Sequence, residues 1–355
     1  VRQAFVGASI GTTVLTVLAV SVLTLDGAIA ALDGAAAPGA RKSPRPGITV
    51  VDLNLLHGAL CPADTNQCDA PNRVALLGED LTAARCPDVV GLEEISRTLY
   101  DLLKKKTRKL CHDDYQLVFG PPNGIDTEQV LTKLPVTSQK VEKLYGGFRT
   151  ASRVELESAL GPVALVVTHQ DGDPANGATV PCAGRCPPPC EATTPTSECQ
   201  TVAAAALADG PDDQGTLRIL MGDFNVTPTS ARYEHLVQDG WLDAYFDAGN
   251  PECDPSTGAG CTSGRDDKSL ESLEDPTSRE TERIDYIFVK PATGCRPAFD
   301  PGEDANGNGL GTGLFANTPA VDGPGGLAWP SDHVGVSMDL GCRSKAKTNK
   351  KGNTT

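Results

Sequence analysis

Short apolar or β-branched runs recur along this chain, and several of them meet a carboxylate, an amide or an imidazole at one end. Gly47–Leu55 (GITVVDLNL) carries Asn54, and Asp88–Leu92 runs into Glu93 and Glu94. Val163–Thr168 is followed by His169, and Arg218–Met221 by Asp223 and Asn225. Val334–Met338 is preceded by Asp332 and His333. Gln129–Thr132 and Ile284–Val289 read as further strands. Arg73–Ala84, after a Pro71-Asn72 turn, and Cys199–Ala208 read as helices. With Gly 37 and Pro 27 supplying many turns, the alternation predicts one layered α/β (α+β) domain over residues 47–342 rather than two units.

Strand ends that share one rim let a rigid scaffold bring distant side chains to one point. Two separated carboxylates, Glu94 and Asp332, with the amide oxygen of Asn54, form a hard-oxygen set suited to Mg²⁺ or Mn²⁺. Any one of them alone would read as an ordinary loop carboxylate or helix cap.

The segments Asn54-Leu-Leu-His-Gly, Val90-Gly-Leu-Glu-Glu94, Thr168-His169, Gly222-Asp-Phe-Asn225, Arg283-Ile-Asp-Tyr-Ile-Phe288 and Ser331-Asp-His333 resemble, in order, the motifs of the endonuclease/exonuclease/phosphatase superfamily. Its members include deoxyribonuclease-type nucleases, abasic-site endonucleases, bacterial sphingomyelinases and inositol-polyphosphate phosphatases. Gly-Asp-Phe-Asn alone is moderately specific and Ser-Asp-His alone is weak. Their ordered occurrence between Gly47 and Leu340 is the strong signal.

The resemblance implies a four-layer αββα sandwich with two packed mixed β-sheets. It implies that Asn54, Glu94 and Asp332 hold one Mg²⁺, which polarises a phosphoryl oxygen. Asp223 would orient or deprotonate the attacking water, and Asn225 would donate to phosphoryl oxygens. His333 would contact the phosphate, with Asp285 taking its other ring proton. His169 occupies the second-histidine position, where it can protonate the leaving oxygen. Glu128, at the start of a strand, is the candidate partner for it. The chain departs from the family where Gln-Glu is usual and Glu93-Glu94 stands; Glu93 is expected to face solvent. Asn225-Val226-Thr227 fits a glycosylation sequon, read here as coincidence because Asn225 belongs to a motif.

The remaining features bound context. A formal charge of −15 argues against coating nucleic acid through a broad basic face. It leaves room for an enzyme whose metal supplies the positive charge. Residues 1–36 read as a signal peptide, with an uncharged run over residues 5–25. An uncleaved membrane anchor is the alternative. Residues 37–46 read as a linker and residues 343–355 as a disordered basic tail. The twelve cysteines fit an exported, disulfide-bonded body. The expected pairs are Cys61–Cys68, Cys86–Cys111, Cys253–Cys261 and Cys295–Cys342, with two more within Cys182–Cys199. A zinc site is the rival for that last cluster, but it lacks both Cys-x-x-Cys spacing and a histidine.

Lys104–Lys109 reads as a solvated helix face, and His57 as a turn or packing residue. Asp304–Gly309 resembles the start of a calcium loop, a possible structural Ca²⁺ site, although Phe315 stands where the bidentate glutamate belongs. His112 and His235 carry no motif. The insertion from Asp171 to Glu198 is expected to shape substrate access.

The expected function is an exported, Mg²⁺-dependent phosphodiesterase, foremost an extracellular endonuclease. A sphingomyelinase-type phospholipid phosphodiesterase comes next and a phosphomonoesterase third. The partner is the phosphodiester itself, a nucleic acid or a phospholipid headgroup, and no stable protein partner is expected. Aromatic residues are only 5% of the chain, which leaves few to stack a splayed base. Phe224 stands where bacterial sphingomyelinases usually carry Met. An inactive secreted binding module is the reading from another class, and retention of every metal and histidine position opposes it.

Overall fold

Alternation of inward and outward residues along the strands generates two sheets with three apolar layers between and around them. On the strand β1 (Gly47–Asn54), Ile48 and Val50 enter the core between the sheets, while Val51, Leu53 and Leu55 pack on the outer side. On β2 (Val89–Glu93), Val89 points inward and Val90 and Leu92 outward. The computed structural model describes residues 46–62, 66–107, 109–112, 115–124, 126–145, 149–172, 190, 195–210, 215–265, 269–301 and 310–343. All belong to the unit Pro44–Thr355.

The remaining strands are β3 (Gln116–Leu117), β4 (Gln129–Thr132), β5 (Val136–Lys143), β6 (Thr150–Ser158), β7 (Gly161–His169), β8 (Leu217–Asp223), β9 (Leu242–Asp243), β10 (Asp285–Lys290), β11 (Arg296–Phe299), β12 (Gly313–Phe315) and β13 (Gly335–Arg343). Among the described residues they form a 7-stranded sheet, ordered β11-β13-β1-β2-β4-β3 with β12 beside β13, and a 6-stranded sheet, ordered β5-β6-β7-β8-β10-β9. Both are mixed: β1–β2 and β7–β8 run parallel, and the other pairs antiparallel.

Helices α1 (Asn66–Ala83) and α2 (Arg97–Lys106) cover the first sheet, where Val74, Leu77, Leu81, Leu99 and Leu103 meet Val51, Leu53 and Leu92. Helices α3 (Thr196–Asp209) and α4 (Ala231–Gln238) cover the second, with Ala204, Ala208 and Leu236 packed on Val166, Leu220 and Phe288. The short helices α5 (Ala244–Asp247) and α6 (Glu271–Glu274) lie in connections. This is the four-layer αββα sandwich that the motifs imply.

Helix α1 starts earlier than the sequence suggests, with Pro71 inside it. Positive φ at Cys68 and Asp69 interrupts the first turns. The regular helix therefore begins beside Pro71, where a missing N–H costs nothing. Ser96 and Ser230 cap α2 and α4, accepting from the Leu99 and Tyr233 N–H groups. Lys104 and Lys105 are exposed in the last turn of α2, as a solvated face requires.

Five disulfides join Cys61–Cys68, Cys86–Cys111, Cys190–Cys199, Cys253–Cys261 and Cys295–Cys342 among the described residues. Cys182 and Cys186, most of the 171–198 insertion, residues 304–309, the N-terminal segment through residue 45 and the tail from residue 344 lie outside the described residues. Among the described residues, no helix is long and apolar enough to cross a membrane.

Candidate active site

Strand direction explains why the polar strand ends converge. β1 and β2 are parallel and β13 is antiparallel to them, so Asn54, Glu94 and the Ser331–His333 turn before β13 share one end of the first sheet. In the second sheet β7 and β8 are parallel and β10 antiparallel, which pairs His169 with Asp223 and Asp223 with Asp285 at the corresponding end. Gly222 makes this approach possible. Its φ is +140°, and a Cβ there would lie 1.8 Å from the Thr168 carbonyl oxygen.

Asn54 joins the two halves. Its Nδ2 donates to Glu94 Oε1 and to Asp223 Oδ2, both at 3.1 Å. Its Oδ1 accepts from the Leu56 N–H at 3.1 Å. The amide thus offers its NH₂ to the carboxylates, and its oxygen, which takes the Leu56 N–H on one lone pair, keeps the second for the cation that the sequence reading assigns to it. The His57 N–H donates to Glu94 Oε2 at 2.8 Å, and the His57 ring stands 3.6 Å from the same oxygen. His57 Nδ1 accepts from the Ala59 N–H, so this residue both shapes a turn and flanks a proposed metal ligand.

Burial raises the carboxyl of Asp332, and Glu94 raises it further, while His333 and Arg73 pull it down. Burial would raise Glu94 as well, but His169 and His57 hold it below its usual value. Two neighbouring carboxylates, Asp332 buried and Glu94 half-buried, with hard oxygen donors are a chemistry a divalent cation satisfies. Arg73, buried in α1, holds this half from beneath by donating to the carbonyls of Leu55, Leu56, Cys68 and Pro330.

In the second half, His333 Nδ1 faces both oxygens of Asp285 at 3.0 and 3.1 Å. Burial would lower the His333 imidazolium, but Asp285, then Asp332 and Asp223, hold its pKa well above the usual value. Arg283 braces the start of β10 through Asp243 and Glu252. Asp223 Oδ2 lies 3.4 Å from His169 Nε2 and 3.9 Å from His333 Nε2. Burial, then Asp285, raises the Asp223 carboxyl against the pull of the two histidines. Asp223 Oδ1 accepts the Asn225 N–H at 2.8 Å. Asp223, Asp285 and His333 could also group about a cation. The imidazolium state of His333, already bonded to Asp285, favours a histidine–carboxylate pair there instead.

His169 departs from expectation in its partner. The Glu128 carboxylate accepts from the His169 backbone N–H at 3.3 Å and from the Thr150 hydroxyl, not from the ring. The ring Nδ1 faces Asp126 Oδ1 at 3.2 Å and the Arg149 guanidinium at 2.7 Å. Arg149 also pairs with Asp126 Oδ2 and, at 2.9 Å, with Asp171. Burial would lower the His169 pKa, but Asp223 and Asp126 raise it to about 9 against Arg149. Each ring nitrogen thus faces one carboxylate and one N–H donor, Asp126 and Arg149 at Nδ1 and Asp223 and Asn225 at Nε2, so the tautomer follows the charge state of the ring. Burial pushes Glu128 up to about 7. Asp126 and Arg149 carry no motif, and only the fold brings them to His169.

Glu93 corrects another expectation. It is fully buried between the sheets beside Asp52, not in solvent. Val89, Gly91 and Glu93 share the inward face of β2, and Gly91 lies against Met221 and Val167 of the other sheet. Burial drives both Glu93 and Asp52 well above the usual carboxyl range, and the Asp52 charge beside it pushes Glu93 up further. Asn225, the sequon residue, spends its Nδ2 on the Gln170 carbonyl at 2.9 Å and lies 3.0 Å from His169 Nε2.

A search of curated proteins finds no match. Among solved structures, D. rerio TDP2 complexed with a single-strand DNA product superposes with a TM-score of 0.56 at 15% identity, over 83% of this chain and 98% of that one. A Bacteroides thetaiotaomicron mannosyl-6-phosphatase gives 0.55 at 17%, over 82% and 99%. A Bacteroides vulgatus endonuclease/exonuclease/phosphatase gives 0.54 at 16%, over 84% and 99%. These likenesses concern the fold. The model of the Endonuclease/Exonuclease/phosphatase family matches residues 53–333, most of the chain. The chain belongs to that family of phosphoesterases.

Proposed function

We propose that this protein is an exported, Mg²⁺-dependent phosphodiesterase that cleaves nucleic acid endonucleolytically. The observation that carries the reading is the placement of Asp223 Oδ2 between two imidazole Nε2 atoms, at 3.4 and 3.9 Å. A buried carboxylate with a raised pKa is a stronger base than an exposed one and suits removal of a proton from water. His169, held by Asp126, is placed to return a proton to a leaving oxygen. Such help matters most for the poor alkoxide leaving group of a natural diester. His333, held charged by Asp285, offers Nε2–H to a phosphoryl oxygen, and Asn225 would do the same by turning its second N–H from His169 Nε2 to the phosphate. Asn54, Glu94 and Asp332 would hold Mg²⁺, which supplies Lewis-acid stabilisation of the phosphoryl charge.

Five disulfides among the described residues support an oxidising compartment, hence export. The fold is one on which D. rerio TDP2 holds a single-strand DNA product. The test compares wild type with His333→Ala on plasmid DNA, sphingomyelin, an artificial phosphodiester and a phosphomonoester panel, with and without EDTA. DNA nicking that needs Mg²⁺ and is lost in His333→Ala is expected. Hydrolysis of sphingomyelin or of monoesters alone would reassign the substrate, and activity surviving in His333→Ala would sink the mechanism.

A further inference from the structure

We propose that Arg232 is a positioning residue that sets the pose of His169 and Asn225 for the phosphoesterase reaction proposed above. Arg232 is the second residue of α4, and its side chain returns beneath the Asp223–Asn225 turn, where it is 3% exposed. Its Nη2 donates to the Phe224 carbonyl at 3.1 Å and to Gln170 Oε1 at 2.6 Å. Its Nη1 donates to the Asp171 carbonyl at 2.8 Å, and Nε to Thr201 Oγ1 at 2.9 Å. One planar guanidinium therefore ties the residues that follow His169 to the peptide between Asp223 and Asn225. A lysine has no such fixed fork of donors.

The turn needs this tie. Asn225 sits at φ +52°, left-handed backbone that a non-glycine residue adopts at a cost. Three hydrogen bonds hold it: Asn225 N–H to Asp223 Oδ1, Asn225 Nδ2 to the Gln170 carbonyl, and Arg232 to the Phe224 carbonyl just before it. The Gln170 carbonyl is itself placed by its neighbours, since Gln170 N–H donates to the Asp223 carbonyl and Gln170 Oε1 accepts from Arg232 and Thr201. Removing the guanidinium frees both peptides at once. Asn54, Glu94 and Asp332 lie in the other half, over Arg73, and keep their supports. Arg232 thus acts on the proton-transfer and phosphoryl-donor half and leaves the metal half alone.

The experiment uses the full chain as Arg232→Met, Arg232→Lys and Arg232→Ala, with Mg²⁺ and an artificial phosphodiester, each rate normalised to the folded fraction by near-ultraviolet circular dichroism. Displacing reacting groups by about 1 Å costs on the order of 10²-fold, so Arg232→Met should lose about that in kcat. KM and the Mg²⁺ concentration for half-maximal rate should stay within about twofold of wild type, as for a loss confined to the transition state. Arg232→Lys should fall between the two, and ethylguanidinium should restore much of the rate of Arg232→Ala. A residue that only stabilised the fold would change the folded fraction and not the kcat of folded enzyme.

Hydrogen exchange supplies a readout independent of activity. Residues 169–171 and 223–226 should lose protection in Arg232→Met while the ends of β1 and β2 keep theirs. If wild type hydrolyses no phosphoester, the functional reading fails on its own and exchange still decides the positioning role. The proposal is overturned by folded variants with near wild-type kcat, by a parallel rise in the Mg²⁺ requirement, by unchanged exchange, or by failure of both Met and Lys variants to fold.

Discussion

Replacing Glu93 with Gln should make the protein more stable near neutral pH, and the gain should grow as pH rises. The four carboxyl oxygens of Glu93 and Asp52 are buried with no hydrogen-bond partner in good geometry, an arrangement that a proton shared between the two carboxyls would satisfy. Burial raises both groups well above their usual range, and the nearby Asp285 and Asp223 charges push the same way. A raised acid favours the fold where the unfolded chain also holds the proton, below about the usual value of 4.5, and that advantage is lost as pH rises above it. One proton kept only by the folded state costs about 1.4 kcal/mol per pH unit. From about pH 5 to about pH 7 the wild type should therefore lose roughly 2–3 kcal/mol that Glu93→Gln does not lose. The Gln amide fits the same space and gives Asp52 a permanent N–H donor.

Urea unfolding with disulfides intact, at both pH values, measures this difference directly. Glu94 and the remaining site residues are untouched, so activity should change little. If the two proteins show the same pH slope, or if Gln destabilises equally at both pH values, there is no shared proton between Asp52 and Glu93.

Asp285→Asn removes the main charge that raises His333, so the alkaline limb of the activity profile should move to lower pH. Its stability loss should be largest below the usual value of 6.5, where the charged ring gains most from Asp285 in the fold, and both effects can be read from pH–rate and melting series. Asp126→Asn should likewise shift the limb set by His169 downward from about 9, whereas Glu128→Gln, which leaves the ring partner in place, should shift it less. Equal shifts in the two would return the partner role to Glu128. Gly222→Ala drives a methyl into the Thr168 carbonyl and should cost at least about 4 kcal/mol, visible as insoluble expression or a collapsed melting temperature.

The parts legible in sequence are those whose burial alternates or whose spacing is local. β1, β4, β7, β8 and β10 read correctly because apolar residues enter the core on one or both faces. The β5–β6 hairpin escaped because β5 (VTSQKVEK) is almost wholly exposed, so no face shows an apolar period. Glu93 was misjudged because a charged doublet at a strand end looks solvated. The two-residue period of Val89, Gly91 and Glu93, matched by Val50, Asp52 and Asn54, already placed both carboxyls inside. Asp126, Arg149, Arg73 and Arg232 act on residues or backbone carbonyls brought close only by the fold, and a single sequence holds no signal for such pairs.

The architecture divides the chemistry between the sheets. The first sheet presents oxygen donors for a cation, and the second presents Asp223, Asn225 and His169. Glu94 and His169 approach to 4.0 Å across the divide, and Asn54 bonds both halves. The working distance between cation and base is therefore set by inter-sheet packing, by Met221 and Val167 against Gly91 and by the buried Asp52–Glu93 pair just behind Asn54. Each half also rests on its own buried arginine: Arg73 donates to backbone carbonyls, and Arg232 to the carbonyls of Asp171 and Phe224 and the side chains of Gln170 and Thr201. Arg73 also acts through its charge, since it pulls the Asp332 carboxyl down against burial. A chain with this strongly acidic balance can then confine its positive charge to the point where phosphate must bind.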